Sequence, residues 1–292
     1  MIKLGAFYMQ TDPMMLNKKL VRQHFDRHAA EYDLYAVVQR KMANQLMKLI
    51  QQSAPQKQFQ RILEIGCGTG LLTEMLQQQW GSALITAVDI SPEMIKQTKL
   101  KLGEQVSKIR FIAADAEELV STDLLHGDYD LIISNATFQW FQQPAETIKS
   151  LLAKMQSPNG LFAFSTFGSR TFYELHDSFR AAESLLNLKP TSHGQAFHTE
   201  EFWSSLFSNI SLSSSTFNWQ QEEQTVFHPN VRDFLTSIKR VGAGNATQSS
   251  GQALQLRQLF KQMEAYYSQH YSSINGIKAT YDLAFGLFIN EL

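Results

Sequence analysis

From residue 16 to residue 52 the chain has few helix breakers, and its apolar residues recur at helical spacing. Phe25, Ala29 and Tyr32 fall on one face and Val38, Met42, Leu46 and Leu49 on another, which predicts helices ahead of the main body. The polar stretch 53–60, with Pro55, reads as a linker. Beyond it, short apolar runs alternate with helical periodicity. Strands are predicted at 61–65, 83–88, 109–113 and 129–134, and helices at 71–79, 92–102 and 145–155. Pro158-Asn159-Gly160 predicts a turn into a fifth strand, 161–166. This alternation implies a doubly wound, mainly parallel α/β sheet. After Phe167 the rhythm loosens. Helices are expected within 170–205 around an irregular segment, 188–198. Strands are expected at 210–219, 224–228 and 277–289, with a helix begun by Pro229 at its first turn and another at 251–269. The Gly/Ser/Asn-rich stretch 242–251 reads as a loop.

Composition narrows the setting. A formal charge of −1 over 292 residues gives no general attraction to nucleic acid or to an anionic membrane. A single cysteine, Cys67, excludes an intramolecular disulfide framework and a cysteine-based metal cluster. With no secretory pattern in the first 20 residues and no apolar run of the roughly 20 residues that cross a bilayer, a cytoplasmic protein is expected. The histidines, among them His24, His28, His176, His193 and His198, are scattered without the spacing of a metal site.

The chemistry concentrates where the first predicted strand meets the first helix of the sheet. Glu64-Ile65-Gly66-Cys67-Gly68-Thr69-Gly70 is a glycine-rich turn at the carboxyl end of a strand, where doubly wound sheets bind ligands. A dinucleotide site needs G-x-G-x-x-G, but the sixth position is Leu71 counted from Gly66 and Thr73 counted from Gly68. S-adenosylmethionine (AdoMet) has no pyrophosphate and carries a zwitterionic amino-acid moiety, whose ammonium suits the acidic Glu64. Cys67 reads as a small residue that fits the turn. Asp89 ends the second strand about twenty residues on, where a carboxylate accepts from ribose hydroxyls. Ile90 and Met94 are candidates for an adenine pocket, and Asp115-Ala116 for the adenine edge, although Asp115 alone reads equally as a helix cap. Asn135 ends the fourth strand, and Phe138, Trp140 or Tyr32 is positioned to offer an aromatic face to a sulfonium, core packing being the alternative for each. No Asn-Pro-Pro-Tyr sequence is present to hold an amino nitrogen for methylation.

Beyond these motifs, several stretches resemble the malonyl-[acyl-carrier protein] O-methyltransferases of biotin synthesis. They are Phe25-Asp26-Arg27-His28-Ala29-Ala30-Glu31-Tyr32-Asp33 with Val38-Gln39, Ser134-Asn135-Ala136 with Gln139-Trp140, Phe164-Ser165-Thr166-Phe167-Gly168 leading to Tyr173-Glu174-Leu175, and Lys239-Arg240-Val241-Gly242-Ala243. Trans-aconitate methyltransferases share much of this pattern. The resemblance implies a Rossmann-like, class I methyltransferase sheet of seven strands with N-terminal helices and a helical insertion after strand 5. The expected division is 1–60 as a helical cap, 61–169 as the AdoMet-binding core, 170–209 as an insertion or lid, and 210–292 as the rest of the core with inserted helices. The implied reaction moves a methyl group from AdoMet to the free carboxylate of a malonyl thioester on acyl carrier protein or coenzyme A. A carboxylate is ionised at neutral pH and needs no general base. Tyr32 is the first candidate to hold the acceptor, and Arg170, just past the fifth strand, to steer its carboxylate. Lys18, Lys19, Arg22 and Arg27, or Arg232, Lys239 and Arg240, are candidates for docking an acidic carrier, solvated helix faces being the alternative. Methylation of a small free acid, C-methylation of a quinone precursor, and a non-catalytic AdoMet-binding subunit remain the other readings.

Overall fold

The computed structural model describes residues 16–125, 127–155, 160–191, 193–210, 215–241 and 253–290. The turn residues Pro158-Asn159 and the whole of the 242–251 stretch lie outside them. The N-terminal helical region divides into α1 (Lys18–His28), a short α2 (Tyr32–Tyr35) and α3 (Val37–Ser53). Asn17 caps α1 by accepting from the Leu20 N–H at 3.1 Å. Polar anchors on Asp33 draw α2 onto the main body: Thr69 Oγ1 donates to it at 2.5 Å and Lys101 Nζ pairs with it at 2.6 Å.

The alternating body follows as β1 (Arg61–Ile65), α4 (Leu71–Gln79), β2 (Leu84–Asp89), α5 (Pro92–Leu102), β3 (Ile109–Ala113), α6 (Ala116–Leu119), β4 (Leu131–Asn135), α7 (Pro144–Leu152) and β5 (Leu161–Phe167). The remainder is α8 (Tyr173–Leu185), α9 (Glu200–Ile210), β6 (Ser215–His228), α10 (Val231–Arg240), α11 (Ala253–His270), the two-residue β7 (Ser272–Ser273) and β8 (Gly276–Asn290). Seven strands lie in the order β3-β2-β1-β4-β5-β8-β6, with β7 paired to β8. The first five are mutually parallel, and β8 runs antiparallel between β5 and β6. The chain leaves β1 in one direction toward β2 and β3, then returns to place β4 on its other side. The switch point therefore falls between β1 and β4.

Alternation along each strand supplies two cores. Ile62, Leu131, Ile133 and Ala163 face the layer of α3, α4 and α8, whereas Leu63, Ile65, Ile132, Phe162 and Phe164 face that of α7 and α9. Phe138, Phe162, Phe164, Trp203 and Phe207 pack together there, with ring centroids 5.0 to 6.4 Å apart for the contacting pairs. Each fully buried aromatic of this kind contributes roughly 1.5–3 kcal/mol. The two helices that follow β5 thus part company. α8 lies on one face of the sheet and α9 on the other, where Trp203 and Phe207 complete the second core.

Two expectations are corrected near the end of the chain. The polar run 220–223 does not interrupt a strand. It is exposed edge residue within a continuous β6, paired to β8 from Ser215↔Asn290 to His228↔Ile277. Pro229 does not open a helix; Asn230 caps α10 by accepting from the Asp233 N–H at 2.9 Å, and Pro229 precedes that cap. The long β6–β8 pair has a consequence for the site. β5 pairs with β8 only from Leu161↔Ile289 to Phe167↔Leu283. Residues 277–282 therefore run on past the end of β5 for roughly 20 Å at strand rise, carrying α8, α10 and α11 with them. Buried Glu174 ties α8 to this overhang, accepting from Thr280 Oγ1 at 2.5 Å and the Thr280 N–H at 3.1 Å.

Candidate active site

Two cavities lie at the carboxyl ends of β1, β2 and β4. The first, with about 650 Å³ of empty space, is lined by Gly66, Gly68, Asp89, Ile90, Met94, Asp115, Ala116, Asn135 and Trp140. Those are nine of the residues singled out from the sequence for the cofactor. The Asp89 carboxylate is held in plane by two backbone donors, the Ser91 N–H on Oδ1 and the Gly68 N–H on Oδ2, both at 2.8 Å. Burial raises its pKa to about 6 against the pull of those two bonds. Each oxygen keeps a lone pair for a further donor. Gly68 has a φ of +54°, and a Cβ there would meet nothing within 4 Å, so this backbone borders open cavity.

Asp115 caps α6 through its Oδ1, which accepts from the Glu117 N–H at 3.0 Å and also from Lys18 Nζ at 3.1 Å. Its Oδ2 has no partner among the described residues and remains available to an amino group. Lys18 also pairs with Glu117 at 2.6 Å, so this lysine belongs to the cavity wall rather than to a docking face. α1 thus roofs the cavity with Lys18, Val21 and Phe25, a contribution the sequence reading did not assign. The signal was present in the spacing of Val21 and Phe25, one helical turn apart, with Lys18 a turn earlier. α1 is anchored over α5 by Asp26, which accepts from Ser91 Oγ at 2.6 Å.

Three residues expected at the cofactor do not line the cavity. Glu64 is fully buried on the opposite side of the turn, its Oε2 accepting from Thr73 Oγ1 at 2.7 Å. Its Oε1 is buried with no hydrogen-bond partner among the described residues, and burial raises the pKa to about 8. The group is therefore mostly a neutral acid at pH 7, and its one hydrogen bond runs to Thr73 rather than into the cavity. Cys67 points into the hydrophobic core, and burial pushes its thiol well up. Gly70 is required by packing: at φ +83° a Cβ would lie 2.6 Å from Thr98 Cγ2. Phe138 is likewise core and not a cofactor face.

The second cavity, of about 390 Å³, is lined by Gln39, Gln139, Thr171, Gln195 and Tyr281 with the aromatic walls Phe167, Phe172 and Phe197. Tyr32, Ala136 and Trp140 line both cavities and form their junction. Ala136 sits in the left-handed region at φ +52°, a strained position for a residue with a Cβ. It is held by the Ser165 carbonyl at 3.0 Å, and its own carbonyl accepts from Gln139 Nε2 at 2.6 Å. Asn135 braces the junction from below, accepting from Ser165 Oγ at 2.6 Å and donating to the Gln39 carbonyl at 3.1 Å. The Tyr32 ring meets Phe25 edge-on at 6.3 Å, and burial with nearby Asp89 and Asp33 raises its hydroxyl far above the usual range. It stays protonated.

Arg170 does not reach this cavity. Its exposed guanidinium pairs with Glu223 at 2.9 Å, and its N–H is bound to Asp282 Oδ2 at 3.1 Å, so the side chain is drawn outward along β6. Among the described residues no charged side chain lines the second cavity.

Beside that cavity the C-terminal end of α10 meets α1 and α2. The His24 ring bonds the Lys239 carbonyl, Arg240 pairs with Glu31 and lies 5.3 Å from the Tyr35 ring centroid, and Val241 lines the cavity. Arg27 and Lys239 are exposed and have no carboxylate in ion-pair range among the described residues. Leu34 on α2 and Val37 at the start of α3 are 76% and 67% exposed. Arg22 and Arg232, by contrast, are engaged by Asp26 at 3.6 Å and Glu264 at 3.1 Å. Among the described residues no group of His, Cys, Asp and Glu is placed to hold a metal, and no helix is long and apolar enough to cross a membrane.

A doubly wound sheet in this order, with a nucleoside-sized cavity at its switch point opening onto a second cavity, defines an AdoMet-dependent methyltransferase of the class I type. A model described as a methyltransferase domain matches residues 38–212. Two solved structures share the fold: the YcgJ protein of Bacillus subtilis (TM-score 0.55, 14% identity, 85% of this chain and 99% of that one) and the plantazolicin methyltransferase BpumL with a triazolic desmethylPZN analog and SAH (TM-score 0.53, 17% identity, 94% and 96%). Among curated proteins, the malonyl-[acyl-carrier protein] O-methyltransferase of Anoxybacillus flavithermus is 42% identical over 93% of this chain and 97% of its own length. That of Priestia megaterium is 39% identical over 91% and 96%. The chain belongs to the malonyl-[acyl-carrier protein] O-methyltransferase family.

Proposed function

We propose that the protein methylates the free carboxylate of a malonyl group carried as a thioester on acyl carrier protein, the ester that primes pimeloyl assembly for biotin. The observation that carries this reading is the second cavity, lined by no charged side chain among the described residues, walled by aromatic residues, and joined to the cofactor cavity at Tyr32, Ala136 and Trp140. When bound, AdoMet supplies a methyl group on a positively charged sulfur, which a carboxylate oxygen takes while the methyl–sulfur electron pair stays on sulfur.

Positive and negative charge cancel in that transfer, so a strong counter-cation at the attacking oxygen would stabilise the starting state more than the transition state. Neutral donors and apolar walls are the appropriate surroundings. They orient the acceptor and exclude water without pinning its charge. Asp89 would accept from the ribose hydroxyls, and Asp115 Oδ2 from the adenine amino group. Ile90 and Met94 would line the base, and Trp140 and Tyr32 would border the sulfonium. Glu64, Cys67 and Gly70 would act from beneath, by shaping the turn that Gly66 and Gly68 present.

The exposed Arg27 and Lys239, with Arg240 at the junction of α10 with α1 and α2 and the exposed apolar Leu34 and Val37, support docking of an acidic carrier. The test is a transfer assay with methyl-labelled AdoMet and three acceptors: malonyl-acyl carrier protein, malonyl-coenzyme A and trans-aconitate. Preferred labelling of the carrier-bound malonyl group is expected. Equal turnover of trans-aconitate would replace the substrate with a small free acid, and no transfer to any of them would end the proposal.

A further inference from the structure

We propose that Gln39 and Tyr281 form the subsite that receives the acceptor's carboxylate. This rests on the reading that the second cavity is the acceptor site, and it adds which atoms bind and why they are uncharged.

Gln39 belongs to the first turn of α3, is 7% exposed, and lines the second cavity. Its backbone is fixed, since its carbonyl accepts from Asn135 Nδ2 at 3.1 Å. Its side-chain amide, however, has no hydrogen-bond partner among the described residues. The amide borders the cavity and is free to take a hydrogen bond from a ligand there. The other two glutamines of the cavity are already committed. Gln139 donates to the Ala136 carbonyl and accepts from Thr166 Oγ1 at 3.3 Å, and Gln195 donates to the Gln139 carbonyl.

Tyr281 approaches from a different element, the β8 overhang that extends past β5. It too is 7% exposed, and its hydroxyl has no partner among the described residues. Its ring is fixed against Phe172 at 4.7 Å and Phe167 at 6.0 Å. Burial raises the phenol far above its usual range, so it offers a proton to an acceptor and does not act as a base. The nearby cations are held elsewhere: Arg170 by Glu223, and Lys278 by the Tyr173 hydroxyl at 2.8 Å. The cavity thus offers a carboxylate the Gln39 amide and the Tyr281 phenol between apolar walls, with the Tyr32 phenol at the junction to the first cavity. A thioester lacking the carboxylate leaves both donors unpaired. A group of either charge elsewhere on the acyl chain meets Phe167, Phe172 and Phe197. The pairing therefore selects a short chain ending in a carboxylate.

The experiment uses the full chain saturated with S-adenosylhomocysteine, with calorimetric binding of malonyl-coenzyme A and acetyl-coenzyme A as probes, alongside kcat and KM for malonyl-acyl carrier protein. Wild type is expected to favour the malonyl over the acetyl probe. Gln39→Leu should lose about ten- to a hundredfold of that preference, and Gln39→Glu should lose more through like-charge repulsion. Tyr281→Phe should lose about three- to tenfold. S-adenosylhomocysteine affinity and melting temperature should stay at wild-type values in all three, and the loss should fall mainly in KM. If Gln39→Leu does not fold, Gln39→Glu and Tyr281→Phe carry the test. A wild-type preference that survives each folded variant within twofold overturns the subsite and leaves the acceptor reading standing. A wild type that does not distinguish malonyl from acetyl overturns both.

Discussion

Asp89→Asn isolates the cofactor half of the site. The aspartate takes one backbone N–H on each oxygen, from Ser91 and from Gly68, both at 2.8 Å. Asparagine has a single oxygen, so its NH₂ must oppose one of those N–H groups, and only one face can still accept from a ribose hydroxyl. One charge-assisted bond is lost outright, worth about 1.5–3 kcal/mol, and the other falls to a neutral bond. The sum is about 2–4 kcal/mol, or roughly thirty- to several-hundredfold in affinity. The carboxyl's pKa of about 6 adds a signature. In wild type, affinity should be flat above pH 7 and should fall below pH 6 as the free protein takes up a proton there, approaching tenfold per pH unit. The variant has no such group and should bind weakly but without that slope. Calorimetric titration with S-adenosylhomocysteine from pH 5 to 8 measures both. An Asp89→Asn protein that binds within threefold of wild type, or a wild-type affinity unchanged down to pH 5, would refute the assignment.

Glu64, buried and raised to about 8, binds its proton more tightly in the folded state than in the unfolded chain. Its contribution to stability is therefore present at low pH and is lost as pH rises from about 4.5 to about 8. Relative to wild type, Glu64→Gln should gain stability across that window, on the order of a few kcal/mol, and level off above it; a pH-independent difference in urea midpoints contradicts this. Gly70→Ala must adopt φ +83° and place a methyl 2.6 Å from Thr98 Cγ2, at a cost of about 1–3 kcal/mol. Adding Thr98→Ser, which keeps the hydroxyl bonded to the Gly68 carbonyl at 2.7 Å, should restore only the steric part, and full restoration in thermal melts would show that the backbone was not strained. Arg27→Glu with Lys239→Glu should raise KM for malonyl-acyl carrier protein about tenfold or more at low salt. KM for malonyl-coenzyme A should change far less, and equal changes for both would remove the docking surface.

The parallel half of the sheet was legible because its signals are local. Short apolar strands, helix caps and the glycine turn fix β1 to β5 to within a residue or two, and with them the positions of Asp89, Asp115 and Asn135. Side-chain direction at the turn was less legible. Glu64 and Ile65 are neighbours on opposite faces of β1, and only the pleat decides that the carboxylate faces Thr73 while Ile65 borders the cavity. Arg170 was misjudged for a related reason, since its partner Glu223 lies on a strand more than fifty residues away in sequence. Gln39 and Tyr281 carried no local signal at all. They meet at one cavity because β8 outruns β5, which is a property of sheet register and not of either neighbourhood. The continuity of β6 through its polar run 220–223 was hidden in the same way, because an edge strand exposes what a central strand buries.

The central claim, that a carboxylate receives the methyl group at the junction of the two cavities, predicts the chemical nature of the product. The direct measurement is to incubate the protein with methyl-labelled AdoMet and malonyl-acyl carrier protein, isolate the carrier, and treat it with mild alkali. A carboxyl methyl ester releases its label as methanol, in step with loss of label from the acyl group, and that is the expected result. Label that stays with the acyl chain or the carrier through the same treatment would mean transfer to carbon, nitrogen or sulfur, and would contradict the account.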